Sequence, residues 1–344
     1  MVEEIMEGNA LVSVIIPVFN LEEYVERSVK SVLSQTYNNI QIIIVDDGST
    51  DSTQCICEKL ADDDRIIYIR HEGNKGQTVT RNDGLNAASG DWIMFLDGDD
   101  TLEPSTIDSF MKAVNDDKDI DIVFAGYKVI SDDNSIERLA NIVPGVYTKR
   151  EFTNYLFDEI TSDVLTCIGS KIYRNDLVKT RKEWTSDRIS TNYDMAFVID
   201  ALLACKKVAY IQEPVYDYIQ RNNSITYSYR EKMYSRICEA RKKIPVLIMD
   251  CDCYNEKNKL FQKDQLRLVL SALNQEVAFK KGYSQFKKSV DEIRQSDQFK
   301  QVYQVFCSNR NDKARYLYVK LVKKKWFFVL FLIHKMLLSK RSGY

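Results

Sequence analysis

Four short apolar runs fall within the first hundred residues, each separated from the next by a stretch with helical spacing. They are Leu11 to Ile16, Ile40 to Val45, Ile66 to Ile69, and Trp92 to Leu96. Each run is apolar throughout and does not alternate with polar residues. Strands of that kind are covered on both faces. The intervening helices are expected from Asn20 to about Ser34, after Asp51, and from roughly Thr78 to Ala88. The first presents Leu21, Val25, Val29, Val32 and Leu33 on one side. Strand and helix in strict alternation give a parallel, doubly wound α/β sheet. Pro17 is expected to end the first strand. Asn20 with Glu23, and Asp51 with Gln54, read as helix N-caps with capping-box partners.

The pattern loosens after Leu102. A helix is expected near Pro104, a strand from Asp121 to Tyr127, and a helix capped by Thr148 and Glu151. Trp184 to Asn192 reads as a loop and Tyr193 to Ala204 as a helix. From Arg230 onward Gly and Pro are scarce and Lys, Glu, Leu and Gln dominate, so that region is expected to be mostly helical. No internal repeat is visible. These shifts divide the chain into residues 1–105, 106–229 and 230–344.

Composition excludes several chemistries. The chain has 344 residues, enough for a large domain with an appendage, and only two histidines, His71 and His334. His-rich zinc sites and Ser-His-Asp catalysis have little support, so acid/base work falls to carboxylates, Lys or Tyr. The eight cysteines include two C-x-C pairs and no C-x-x-C, as in scattered reduced thiols. The formal net charge of -2 hides an asymmetry. From Arg310 to Tyr344 ten Lys and Arg stand against one acid, leaving +9 there and -11 on residues 1–309. An acidic body argues against nucleic acid as a partner. The first ten residues lack the layout of a secretion signal, and no apolar run reaches the ~20 residues of a membrane span.

In an open parallel sheet, ligands bind beyond the carboxyl ends of the strands. Those ends carry Pro17-Val18-Phe19-Asn20, Asp46-Asp47-Gly48-Ser49, His71 to Gly76, and Asp97-Gly98-Asp99-Asp100. None is G-x-G-x-x-G or a P-loop, which excludes the usual nicotinamide, flavin and P-loop sites. What remains is a convergence of carboxylates. Such groups repel unless a positive charge lies among them. A hard divalent cation, Mg2+ or Mn2+, takes one or two carboxylates together with nucleotide phosphates, and Asp97 and Asp99 are spaced to offer them. Asp-Gly-Asp-Asp is also a turn sequence. Its place after an apolar strand, with Asp47 on a neighbouring strand end, favours the ligand-binding reading.

The motifs Val14-Ile15-Ile16-Pro17-Val18-Phe19-Asn20, Ser34-Gln35-Thr36-Tyr37 and Val45-Asp46-Asp47-Gly48-Ser49-Thr50-Asp51 resemble the start of the family-2 glycosyltransferases of GT-A fold. Asn74-Lys75-Gly76, Ala87-Ala88-Ser89-Gly90-Asp91 and Phe95 to Asp100 continue the resemblance in order. It is strong over about residues 11–105 and fades by about residue 226. It implies a GT-A sheet with a helical C-terminal appendage, an inverting mechanism, a divalent metal, and a nucleotide-sugar donor, usually a UDP-sugar. By similarity, Pro17, Phe19 and Asn20 line the nucleotide pocket and Asp47 bonds the base. Lys75 and Arg81 reach base or phosphate, Asp97 the ribose or sugar, and Asp99 the metal. Asp100 is expected in a turn or supporting position. Asp194, in Tyr193-Asp194-Met195-Ala196-Phe197, matches the family's base, although Tyr193 stands where Glu is usual; Asp187 is the fallback. Gly169 to Tyr173 and Glu213 to Ile225 resemble the flanking segments, with Arg221 directed at the diphosphate. The resemblance further implies a glycan or lipid-linked acceptor in surface polysaccharide assembly. A sugar nucleotidyltransferase would need a Gly-rich basic loop where Pro17 to Asn20 stands, and a non-catalytic nucleotide-binding scaffold has only Tyr193 in its favour.

At the C-terminus, Lys323-Lys324-Lys325 precedes the eight apolar residues Trp326 to Ile333. That run is too short to span a membrane, but basic flanks and a boundary Trp suit an interfacial helix on anionic lipid. The expected location is therefore the cytoplasmic face of the membrane. The alternative is a helix docked on its own domain or on another copy of the chain in a homo-oligomer.

Overall fold

The computed structural model describes residues 10–131, 134–156, 167–179, 193–220, 232–249, 251–252, 254–279, 282–308 and 313–339. Two compact units follow one another, Met1–Asn223 and Ser224–Tyr344.

The first unit is built on one mixed sheet. Strands β1 (Val12–Val18), β2 (Ile40–Asp46), β3 (Ile66–Arg70) and β4 (Trp92–Phe95) are mutually parallel, with β1 between β2 and β4. Their residues explain the arrangement: Val12, Val14, Ile15, Ile16, Ile42, Ile43 and Ile44 are fully buried. Helices α1 (Val25–Leu33), α2 (Thr53–Leu60) and α3 (Gln77–Ala87) are the crossovers. Beyond β4 lie β9 (Lys171–Arg174), β6 (Ile120–Ser131), β10 (Lys207–Ile219) and β5 (Thr101–Leu102). β9 runs antiparallel to both β4 and β6, and β10 runs parallel to β6. β7 (Asn134–Arg138) and β8 (Gly145–Thr148) pair antiparallel with β6 and β10. Helices α4 (Thr106–Asp116), α5 (Lys149–Leu156), α6 (Asn175–Lys179) and α7 (Tyr193–Ala204) complete this unit among the described residues.

Two local expectations are corrected. Pro17 does not end β1; the strand continues to Val18, with Pro17 opposite Val45 in the ladder. Asn20 is not a helix cap. It sits at φ 53°, its Oδ1 accepts from Thr50 N at 2.8 Å, and α1 begins later, at Val25. A short amide side chain tolerates the left-handed region and prefers to bond nearby backbone. The Thr148–Glu151 capping box does form. Thr148 N and Oγ1 both donate to the Glu151 carboxylate at 2.8 Å, and Glu151 N donates back to Thr148 Oγ1 at 3.3 Å.

The second unit is helical: α8 (Met233–Ala240), α9 (Ile244–Met249), α10 (Tyr254–Ala278), α11 (Gly282–Gln295), α12 (Asp297–Ser308), α13 (Lys313–Lys323) and α14 (Phe327–Ser339). Leu266, Val269, Leu273, Phe286, Val290, Phe299, Val302, Val319, Val322 and Leu330 form its core. The described part of the basic C-terminal segment, residues 313–339, is therefore folded into this unit. Among the described residues no helix is long and apolar enough to cross a membrane.

Candidate active site

The carboxyl ends of β1 to β4 open on one edge of the sheet, and their loops press against one another. Gly48 has φ +76°, and a Cβ there would lie 2.6 Å from Gly73 Cα, so only glycine lets the loops after β2 and β3 meet. A Cβ on Gly98 would lie 2.7 Å from Val18 Cγ1, which packs the loop after β4 onto the end of β1. Asn20 N donates to Ser49 Oγ at 3.0 Å, joining the loops after β1 and β2.

Asp47 is buried where these loops converge. Its Oδ1 accepts from Lys75 N at 2.8 Å and from His71 Nδ1 at 2.8 Å, and its Oδ2 accepts from Gly76 N at 2.8 Å. The loop before α3 is thus wrapped on a carboxylate by its own backbone. Pro17 is buried beside it, whereas Phe19 is 41% exposed and Lys75 turns its side chain to the surface.

A second carboxylate group surrounds Arg81 of α3, whose side chain is fully buried. One guanidinium nitrogen donates to Asp97 Oδ1 at 2.6 Å, and the other pairs with Asp194 Oδ1. Expected from sequence to meet base or phosphate, Arg81 bridges two carboxylates 97 residues apart in the chain, one at the end of β4 and one on the first turn of α7. The helix is held in register by Phe197, one turn beyond Asp194. Its ring meets Phe95 edge-on at 5.2 Å and Tyr173 at 5.1 Å. Burial pushes the Asp194 carboxyl above its usual range; the Arg81 cation opposes this, and the Asp97 charge adds to it. Lys171 lies behind. It donates to the Cys167 carbonyl, sits 4.9 Å over the Phe124 ring, and is brought down to about 8 by burial.

Asp97 and Asp99 share the turn after β4, and both are partly exposed. Asp99 O accepts from Arg27 at 3.2 Å. Asp100 is turned inward. Its Oδ2 accepts from Tyr216 OH at 2.5 Å and its Oδ1 from Ile219 N at 2.8 Å, so it ties the turn to β10. Burial pushes its carboxyl well up, and the charges of Asp99 and Asp97 add to the effect. Tyr216 OH also accepts from Asp97 N at 3.3 Å. Among the described residues no group of three or more His, Cys, Asp or Glu side chains is arranged to hold a metal alone. Two accessible carboxylates in one turn are nonetheless the donor set of a Mg2+ or Mn2+ shared with phosphates. Arg221 and Asp187 lie outside the described residues.

The contributions of Tyr216 and His71 are not apparent from sequence. Both act through partners on other elements of the fold. The only signal for His71 is its place at the end of β3.

The glycosyl transferase family 2 model matches residues 13–181. The chain is 28% identical over 268 residues to glycosyltransferase GlyA of Streptococcus pneumoniae serotype 4, which covers 76% of this chain and 38% of GlyA. It is 38% identical over 106 residues to the GalNAc(5)-diNAcBac-PP-undecaprenol beta-1,3-glucosyltransferase of Campylobacter jejuni, covering 30% of this chain and 34% of that enzyme. The chain thus spans well under two thirds of these relatives. Residues 1–349 of S. aureus TarS, crystallised with UDP-GlcNAc, superpose with a TM-score of 0.70 at 20% identity, over 96% of this chain and 92% of that one. That likeness shows the fold, a GT-A sheet followed by a helical region. With the loop motifs lying at the carboxyl ends of β1 to β4 and the family match running across them, residues 13–181 form a family-2 glycosyltransferase domain.

Proposed function

We propose that the protein is an inverting transferase that moves a sugar from a UDP-sugar to an acceptor hydroxyl, on a lipid-linked glycan. The observation that carries this is the pair of carboxylates joined through Arg81: Asp97 on the donor side and Asp194 at the head of α7. The acceptor oxygen attacks the anomeric carbon, the bond from that carbon to the diphosphate oxygen breaks, and Asp194 takes the hydroxyl proton. Arg81 engages Asp194 Oδ1, so Oδ2 is the oxygen assigned to the proton. A carboxyl pushed upward by burial is a better base than an ordinary one. Clamping it from α3 fixes its distance from the donor site, which is positioning catalysis.

Pro17, Phe19 and Asp47 are assigned to the base, Asp97 to the ribose or sugar, and Asp99 to the cation. A bound divalent cation would neutralise charge on the leaving diphosphate. Lys75 and Arg221 are proposed to face the phosphates. Arg81, being buried between carboxylates, is assigned to positioning and not to direct phosphate contact. UDP as the nucleotide is supported by the UDP-GlcNAc in the TarS crystal, and a lipid-linked acceptor by the undecaprenol named in the Campylobacter relative. An acceptor of that kind places the enzyme on the cytoplasmic face of a membrane, reached through the basic C-terminal helices.

The test is thermal stabilisation across a panel of nucleotide-sugars with and without Mn2+, followed by UDP release with acceptor. UDP and a UDP-sugar are expected to raise the melting temperature by several degrees, and Asp99→Ala to remove the Mn2+-dependent part. Stabilisation indifferent to Mn2+ would overturn the cation assignment. Retained binding without turnover on any donor would favour a nucleotide-binding scaffold.

A further inference from the structure

His71 is 4% exposed and meets a carboxylate at each ring nitrogen. Nδ1 lies 2.8 Å from Asp47 Oδ1 and Nε2 lies 3.0 Å from Asp83 Oδ2. An ionised carboxylate only accepts, and a neutral imidazole donates from one nitrogen only. With both carboxylates ionised, each ring nitrogen is placed to donate to one of them, so His71 holds two side chains from different elements at once. His334 in the second unit is the contrast: its Nδ1 meets Asn274 Oδ1 at 2.5 Å and its Nε2 meets Tyr318 OH at 2.8 Å, which suits one donor and one acceptor.

Asp47 is the residue that the proposed function assigns to the nucleotide base, and its acceptor sites can be counted. Two backbone donors, Lys75 N and Gly76 N, and one ring donor occupy three of about four lone-pair positions. Both oxygens are thus fixed in plane and direction, and one position on Oδ2 remains for a ligand. We infer that His71, anchored on its far side by Asp83, is a positioning residue for the donor: it keeps Asp47 oriented, so that the remaining lone pair meets a nucleotide base that offers an N–H. This inference rests on the nucleotide-sugar reading of the site. It adds a helix-borne carboxylate, Asp83 of α3, to a recognition element otherwise made of loops.

Two near-isosteres separate positioning from mere packing. The amide nitrogen of His71→Asn takes the place of Nδ1 and can still donate to Asp47, whereas that of His71→Gln takes the place of Nε2 and reaches only Asp83. Calorimetric UDP binding in the presence of Mn2+ is expected to weaken roughly tenfold to a hundredfold in His71→Gln, the loss of one hydrogen bond to a charged group, and by much less in His71→Asn. With a UDP-sugar, KM should rise in His71→Gln while kcat at saturation stays near the unaltered value. Nitrogen NMR of the unaltered protein at pH 7 gives a readout that needs no variant to fold, because only two histidines must be assigned. Both ring nitrogens of His71 are expected to be protonated. A ring with one bare nitrogen, equal UDP affinity in both variants, or an equal loss in both would each overturn the inference. Failure of the unaltered protein to bind UDP would instead sink the donor reading itself, and this role with it.

Discussion

Asp194, the base proposed above, is surrounded by groups that pull its proton affinity both ways. Burial pushes its carboxyl up, Arg81 and Lys171 pull it down, and Asp97 adds like charge. A base titrates in the direction of its protonated form as pH falls, so kcat/KM should lose activity on the acid side at a pH above the ordinary carboxylate range of ~4. Asp194→Asn is expected to lower kcat by roughly a hundredfold to ten-thousandfold and to abolish that acid limb, while leaving UDP binding within a few-fold. An acid limb that survives in Asp194→Asn would place the proton elsewhere. Asp47, Asp97 and Asp99 stood out in the sequence because strand-end loops rich in Asp-Gly mark where a parallel sheet binds ligands, whereas Asp194 was singled out only by the family resemblance. Their partners did not stand out. Arg81 was expected at base or phosphate, yet it is fully buried, because two carboxylates distant in sequence compensate the desolvation of its charge. His71 looked isolated because its partners, Asp47 and Asp83, lie on other elements.

Among the elements, α14 had two readings. Its apolar run suited an interfacial helix on lipid or a helix docked on its own domain, and Phe327, Leu330 and His334 are buried within the helical unit. His334 is pinned between α10 and α13 through Asn274 and Tyr318, and its ring packs 5.6 Å from Phe286. Burial brings it down from 6.5 to about 4. Folded protein then binds fewer protons than unfolded protein between those values, so stability is intact above pH 6.5 and falls as pH drops toward 4. The total effect is on the order of 3 kcal/mol. Thermal unfolding of the second unit, followed from pH 7 to pH 4, should show a midpoint that falls more steeply in the natural protein than in His334→Gln. Parallel slopes would show that the ring is not held neutral. Helix and strand identities were legible from periodicity, whereas ends were not. Pro17 lies inside β1 and Asn20 serves as a strut, because each answers to a neighbouring loop and not to its own segment.

On the scale of the whole molecule, charge and apolar surface are unevenly shared. Residues 1–309 carry -11 and the remainder +9. Within the second unit, the side of α13 and α14 opposite the core leaves Leu317, Trp326, Phe328, Leu332 and Met336 exposed, Phe328 by 60% and Met336 by 62%. Lys323 and Lys335 are exposed on these helices, and Lys324 and Lys325 in the turn between them. An apolar face rimmed by lysines has the chemistry of a surface that settles on anionic lipid: each Lys near such a membrane contributes about 1 kcal/mol and is screened by salt, and the apolar side chains add burial that salt does not weaken. Removing residues 320–344 would test this badly, because Val322, Phe327, Leu330 and His334 would leave the core with them. Phe328→Glu with Met336→Glu leaves the buried core residues in place and gives up the edge-on contact of Phe328 with Tyr283 at 5.9 Å. That double variant is expected to melt within a few degrees of the natural protein. It should partition onto vesicles containing anionic lipid at least tenfold more weakly, while neutral vesicles bind both proteins poorly. The natural protein should also be released progressively as salt rises from about 0.05 to 0.5 M, which shortens the Debye length from about 14 to about 4 Å. Unchanged partitioning of the variant, with its fold intact, would show that this face meets something other than lipid.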